Sequence, residues 1–316
     1  MQTYSLVLDN TLSDHVPTKD PEILLGEARA HFGASRFQEA ARSVMTAEIG
    51  FKESASITEF GNSPIKPHAS IIVLSYKETP KVAPCIEAIA NDLDDRFGVM
   101  LVNTGNDRIG NYGKKYLKGF TYVDIGINVG CSIARNIAAR CSDAENVIFI
   151  DDDGILESGS LNALLSCLQD LQAFAVRGRV IASSSELGAV HYDRGDLRMP
   201  SFPNCECISA WNREAFLAVG GFDPLLVGHE GAELCWRIMR RYETVGFYYE
   251  PDAVLYHDFS ASLEHRSRKK AGYDFNEAYL SFKGMPPIQD LKRKIGDPGY
   301  KKAKGIMHRV ARTIWS

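Results

Sequence analysis

The chain has no long apolar run: nothing in it approaches the roughly 18–20 consecutive apolar residues a membrane-spanning helix needs. Its start, MQTYSLVLDNTLSD, has neither the basic nor the apolar segment of a secretory signal. A cytoplasmic location is expected. Fingerprints of the common nucleotide and hydrolase classes are also missing. GNDRIG (105–110) lacks the G-x-G-x-x-G spacing, GNYGKK (110–115) lacks the gap and Ser/Thr of a P-loop, and no G-x-S-x-G elbow occurs. NAD enzymes, P-loop ATPases and serine hydrolases are thereby set aside. The 7 cysteines are odd in number and scattered through apolar segments, which reads as reduced thiols rather than a disulfide framework. Cys205-Glu206-Cys207 alone invites a metal reading, but with no second pair it makes a poor zinc site, and alternation along a strand accounts for it better.

What is present is an ordinary globular composition. With 316 residues, 45% hydrophobic and 24% charged, the chain suits one large core with an appendage, not collagen, a coiled coil or wholesale disorder. The net charge of −4 conceals an asymmetry, because residues 265–316 hold 13 Lys or Arg against 4 Asp or Glu. The tail is basic and the body acidic. An acidic body with clustered carboxylates points away from nucleic acid and toward metal-assisted binding of an anionic ligand.

Three regions follow along the chain. Residues 1–66 carry a helical pattern from Pro21 to Glu48, broken near His31-Phe32-Gly33, and read as a helical hairpin packed on the main domain. Residues 67–262 alternate short apolar runs with helical periodicity, the mark of a parallel α/β sheet with crossover helices. Strands are expected at ASIIVLS (69–75), VMLVN (99–103), FTYVD (120–124), NVIFI (146–150), AFAVRGRVIA, CECISA, VGFYYE and AVLYH. Helices are expected after Pro80, over Ser132–Arg140 and Ser160–Leu171, and in NREAFLAVGG and HEGAELCWRIMRR. The long stretch HYDRGDLRMPSFPNCE reads as functional loop. Residues 263–316 form a basic helical extension that either lies on an anionic membrane surface, toward a lipid-linked acceptor, or packs on protein.

The strongest chemical signal is IFIDDDG (148–154), a buried strand that delivers three aspartates at its carboxyl end, where open α/β sheets bind ligands. Alternate residues of an extended segment face the same way, so Asp151 and Asp153 share a side and Asp152 takes the other. Three adjacent carboxylates repel unless a cation neutralises them. Two oxygen ligands leave most of an Mn2+ or Mg2+ shell open for phosphate oxygens and water.

Six segments in order, SIIVLSY (70–76), NVG-x-SIARN (128–136), FIDDDG (149–154), REAFLAVGGFDP (213–224), GHEGAELCWRI (228–238) and YEPDAVLYH (249–257), resemble the family 2 type of GT-A glycosyltransferases. The resemblance implies a Rossmann-like mixed sheet with flanking helices and transfer of a sugar, with inversion, from a nucleotide diphosphate donor, a UDP-sugar, to a glycan or lipid-linked hydroxyl. By the same resemblance Asp151, Asp153 and His257 would hold the metal, and Asp152 the ribose. Leu74, Ser75, Tyr76 and Glu78 would cradle the base. Asn103 stands where relatives carry an aspartate for uracil, Asp107 would either substitute for it or cap a turn, and Arg135 would reach the ribose or diphosphate. The family's Glu-Asp pair reads Glu230-Gly231 here, so Glu230 is the expected general base and Glu233 the second choice. Trp211 stands where relatives contact sugars. Two rival readings stay open, a sugar-phosphate nucleotidyltransferase and a non-catalytic sugar-binding relative. The first should show a glycine-rich basic loop after strand one, and SYKETPKV lacks it.

Overall fold

The computed structural model describes residues 19–183, 193–203, 207–243, 246–257 and 276–298. The chain builds one mixed sheet from β1 (Ser56–Gly61), β2 (Ala69–Ser75), β3 (Phe97–Asn103), β4 (Gly119–Asp124), β5 (Asn146–Asp151), β6 (Ile155–Leu156), β7 (Ala175–Ile181), β8 (Met199–Pro200), β9 (Ile208–Asn212) and β10 (Phe247–Tyr256). Their order is β1-β4-β3-β2-β5-β9-β7-β10-β6, with β8 on β10. β2, β3, β4 and β5 run parallel, β9 is antiparallel to both its neighbours, and β1 closes the far edge antiparallel to β4. Consecutive side chains of the central strands serve opposite faces, which is why they are apolar throughout. Ile71, Val73, Ile148 and Ile150 pack under α3 (Val82–Asp92), α4 (Ile109–Tyr116) and α6 (Ser160–Asp170). Ile72, Val147 and Phe149 face α5 (Cys131–Cys141), α7 (Arg213–Ala218) and α8 (Glu230–Tyr242). The result is a three-layer α/β fold.

Several elements depart from the expected pattern. The N-terminal segment forms α1 (Pro21–Gly33) and α2 (Phe37–Ser54), and then continues into β1, a strand the sequence pattern did not mark. Leu24, Leu25, Val44 and Phe51 join the core on the α5 face. Buried Glu48 accepts hydrogen bonds from Asn136 Nδ2 at 3.0 Å and Arg140 at 3.2 Å, tying α2 to α5. VGFYYE and AVLYH are one strand rather than two, with a register shift between Tyr249 and Val254 around Pro251. That irregularity is held by Ser160 Oγ, which donates to the Val254 carbonyl at 3.0 Å and accepts from its N–H at 2.9 Å. The start of α6 is capped by Asp92, whose carboxylate accepts from the Leu161 N–H at 2.9 Å. Helix Ile288–Ile295 buries Leu291 and Ile295 against the domain. The tail beyond 298, read as lying on a membrane surface or packing on protein, lies outside the described residues, as does the Cys205-Glu206 half of C-E-C. No helix among the described residues is long and apolar enough to cross a membrane.

Candidate active site

Chain reversal in strand order places a crevice beyond the carboxyl ends of β2 and β5, which pair with each other although their connections run to opposite sides. Register fixes the level of each end. Leu74 pairs with Asp151, Ser75 with Asn103, and Asn103 with Asp124. Four strand ends thus present their last side chains along one rim.

The aspartates divide as pleat geometry requires. Asp152 crosses back over β2, accepting from Ser75 Oγ at 2.6 Å, and Ser75 in turn accepts from buried Asn106 at 2.8 Å. Asp151 accepts from Arg135 at 2.6 Å and from the Cys207 N–H at 2.8 Å. Just past Asp153 the chain enters β6, which pairs antiparallel with the end of β10, Tyr256 opposite Ile155. That pairing carries His257 to Asp153, Nε2 to Oδ1 at 2.9 Å.

Charge is concentrated here. Burial, then the neighbouring charges of Asp153 and Asp151, pushes Asp152 up to about 6 against the Ser75 hydrogen bond. Burial disfavours the ionised forms of Asp153 and His257 too, but their mutual contact overrides it, holding the carboxyl below and the imidazole above their ordinary values. Lys81, at the start of α3, is close enough to act on both. Carboxylates with an imidazole at the mouth of a crevice are a donor set that suits a divalent cation, and Asp151 and His257 offer ligand atoms within 4.8 Å of each other.

Arg135 projects from the buried face of α5 over the Phe149 ring, 5.7 Å from its centroid, so its guanidinium is fixed before any ligand arrives. The exposed thiol of Cys131, one turn earlier, is pushed up by burial of its surroundings and then by Asp151, Glu230 and Asp152, against Arg135. The starts of α5 and α8 therefore flank the same crevice. Glu230 is half-buried at the first position of α8, where its Oε1 accepts from the Gly228 N–H at 2.7 Å. His229 before it adopts a left-handed backbone, φ 66, which turns the chain sharply into the helix.

Other expected residues are placed differently. Glu233 does not reach the crevice: it has no exposed surface, and Arg237 holds its two oxygens at 2.8 and 2.7 Å while Lys283 pairs with one of them. Residues three apart on α8 diverge here because the inner one faces the core side of the helix. Trp211 is likewise a core residue, fully buried with edge contacts to Phe216 and Phe222 and its Nε1 donating to Ser209 at 3.0 Å. Asn103 stabilises its own turn, donating to Asp124 at 2.8 Å and accepting from the Gly105 N–H at 2.8 Å. Leu74 is half-buried against the edge of the core, Tyr76 is exposed beside Gly105, and exposed Glu78 accepts from Tyr112. Cys207 is not part of an alternating strand; it precedes β9 with φ 71, beside Asp151. Asp124, Asn106 and Lys81 were missed by the sequence reading, and Cys207 was set aside by it. The Asp124 position at the end of FTYVD was the one available signal among them.

Residues 70–223 match the family model described as glycosyl transferase family 2. An N-acetylglucosaminyltransferase of Bradyrhizobium elkanii is 29% identical over 127 residues, 38% of this chain and 70% of that protein. A pre-mycofactocin glycosyltransferase of Mycobacterium tuberculosis is 26% identical over 166 residues, 48% of this chain; the match spans only 35% of that protein's length. Among solved structures, a mannosyltransferase from Pyrobaculum calidifontis, in complex with GDP-Man and Mn2+, superposes with a TM-score of 0.51 at 20% identity, covering 79% of this chain and 72% of that one.

Proposed function

Taking a glycosyl transferase family 2 domain with the GT-A fold as the premise, we propose that the chain transfers a sugar from a nucleoside diphosphate donor to a hydroxyl of a glycan or lipid-linked acceptor. The donor is assigned as a UDP-sugar, the outcome as inversion, and the cation as Mn2+ or Mg2+ held by Asp151, Asp153 and His257. The observation that carries this reading is the meeting of Asp153 with His257 at 2.9 Å, across 104 residues of sequence, on the rim that Asp151 occupies. A bound cation supplies positive charge to the diphosphate leaving group.

The chain's own groups do the rest. Arg135 and Lys81 add fixed positive charge on either side of the aspartates, favouring a diphosphate over a neutral sugar. Ser75, aligned by Asn106, holds Asp152 in one orientation toward the ribose side. The Tyr76 ring and the Asp124 carboxylate border the place for the base. Glu230, across the crevice on α8, takes the acceptor hydroxyl proton as that oxygen attacks the anomeric carbon and the carbon–oxygen bond to the diphosphate breaks, its electron pair leaving on phosphate. The Gly228 N–H, donating to Oε1 at 2.7 Å, fixes the orientation of that carboxylate.

A thermal-shift panel tests the reading. A nucleoside diphosphate at about 100 times its Kd adds about 2.7 kcal/mol to apparent stability. UDP with Mn2+ should raise the midpoint, and UDP without cation should raise it far less. Equal shifts with and without cation, or no shift with any nucleotide, would contradict it.

A further inference from the structure

Fifty-six residues separate Asp151 from Cys207, and fifty more lead to His257, yet the three converge. A carboxylate oxygen of Asp151, the Sγ of Cys207 and a ring nitrogen of His257 all lie within 4.8 Å of one another. Resting on the cation site assigned above, we propose that Cys207 is a further protein ligand of that site beside Asp151, Asp153 and His257, making an oxygen-nitrogen-sulfur set that favours a thiophilic divalent cation, Zn2+ or Co2+, over Mg2+.

Two main-chain bonds fix the thiol's position. The Cys207 N–H donates to Asp151 Oδ2 at 2.8 Å, and the Asp151 N–H donates to the Cys207 carbonyl at 3.0 Å. Cys207 adopts φ 71, a conformation that costs a non-glycine residue roughly 1–2 kcal/mol. It is 2% exposed, so its sulfur is shielded from water. Cys85, also buried beside Asp151, directs its thiol to the Asp151 carbonyl at 3.5 Å and does not belong to the cluster. Arg135 and the Cys207 N–H each take one lone pair on an Asp151 oxygen, and each oxygen retains another for a metal. Ligand bonds of about 2.0 Å to nitrogen or oxygen and about 2.3 Å to sulfur would draw the three atoms together from their present spread with small side-chain rotations. Thiolate is a soft donor that adds little for Mg2+ or Mn2+ and much for Zn2+ and Co2+.

Cobalt titration of the full chain reads the donor set directly. Wild type should develop a near-ultraviolet sulfur-to-cobalt charge-transfer band that saturates at one equivalent. C207S should lose that band and bind Zn2+ roughly tenfold or more weakly, with Mn2+ affinity unchanged within about threefold. C131S should keep the band, which separates the site from the exposed thiol. A zinc X-ray absorption spectrum of wild type, with a sulfur shell at about 2.3 Å, gives the same answer without any variant. If cobalt binds at one equivalent with visible bands but no charge-transfer band, or if C207S keeps the band, the thiol assignment falls and the cation site stands. If neither Co2+ nor Mn2+ binds with or without nucleotide, both fall.

Discussion

Replacing Glu233 with Gln should unfold the protein far more readily, while the same change at Glu230 should silence it without unfolding it. Glu233 sits in a closed cluster with Asp223, Arg237, Lys283 and Tyr279. Arg237 grips Glu233 with two nitrogens and also donates to the Gly221 carbonyl at 2.6 Å. Lys283 bridges Glu233 and Asp223, and Tyr279 donates to Asp223 at 2.9 Å. Two cations face two carboxylates, all buried or nearly so, and removing one carboxylate leaves a positive charge with no counterion. Breaking a buried pair in this way costs about 3–5 kcal/mol, which lowers the melting midpoint by on the order of 5–15 °C. Glu230 has only the Gly228 N–H and the helix terminus as partners, so its neutralisation costs about 0.3–1 kcal/mol. Loss of a general base removes about 10²–10⁴ in turnover. Differential scanning calorimetry and a donor-hydrolysis or transfer assay on both variants decide. The reasoning is refuted if E233Q melts with wild type, or if E230Q turns over normally.

Four further outcomes follow from particular contacts. W211F should lose about 1–3 kcal/mol of stability by cavity and lost hydrogen bond, with donor KM within about twofold of wild type by steady-state kinetics; a large KM change at unchanged stability would put Trp211 back among sugar contacts. G221A should be destabilised by more than about 2 kcal/mol in urea, because Gly221 has φ 78 and an added Cβ would lie 2.3 Å from Asn136 Oδ1; wild-type stability would disprove the close approach. Burial raises the Glu48 carboxyl above its ordinary value of 4.5, against Arg140 and Asn136. The native state therefore holds this proton to higher pH than the unfolded chain, so wild-type stability falls relative to E48Q as pH rises above 4.5 and levels off past the raised value; parallel pH–stability curves would contradict this. Liposome flotation of the intact chain against one ending at Pro298, which keeps Asp297 on Arg194, tests the basic tail; equal binding to anionic vesicles would end that assignment.

The parts of the fold that could be read were those where local and global requirements agree. ASIIVLS and NVIFI are apolar on both faces because helices cover both faces, and the strands begin and end within a residue of expectation. SITEFG could not be read: at the sheet edge it is exposed almost throughout, so no burial pattern marks it. Pro251 interrupts what looks like two strands, and only Ser160, over ninety residues upstream, shows that the chain stays in the sheet. At the site, three aspartates after a buried strand announced themselves. Glu233 did not reveal its role, because its counterion Lys283 lies fifty residues downstream. Helical spacing gives a face but not what packs on it. Cys207 was dismissed for want of a second local pair, since its neighbours come from β5 and the end of β10 rather than from its own segment.

The central claim is that the rim formed by Asp151, Asp153 and His257 holds a divalent cation that in turn holds a diphosphate. Anomalous diffraction at the manganese edge, from crystals soaked with Mn2+ and UDP, tests it most directly. The account predicts one strong peak within bonding distance of these side chains and of both phosphates. A peak elsewhere, or nucleotide bound in the crevice with no metal beside Asp151 and Asp153, would contradict it.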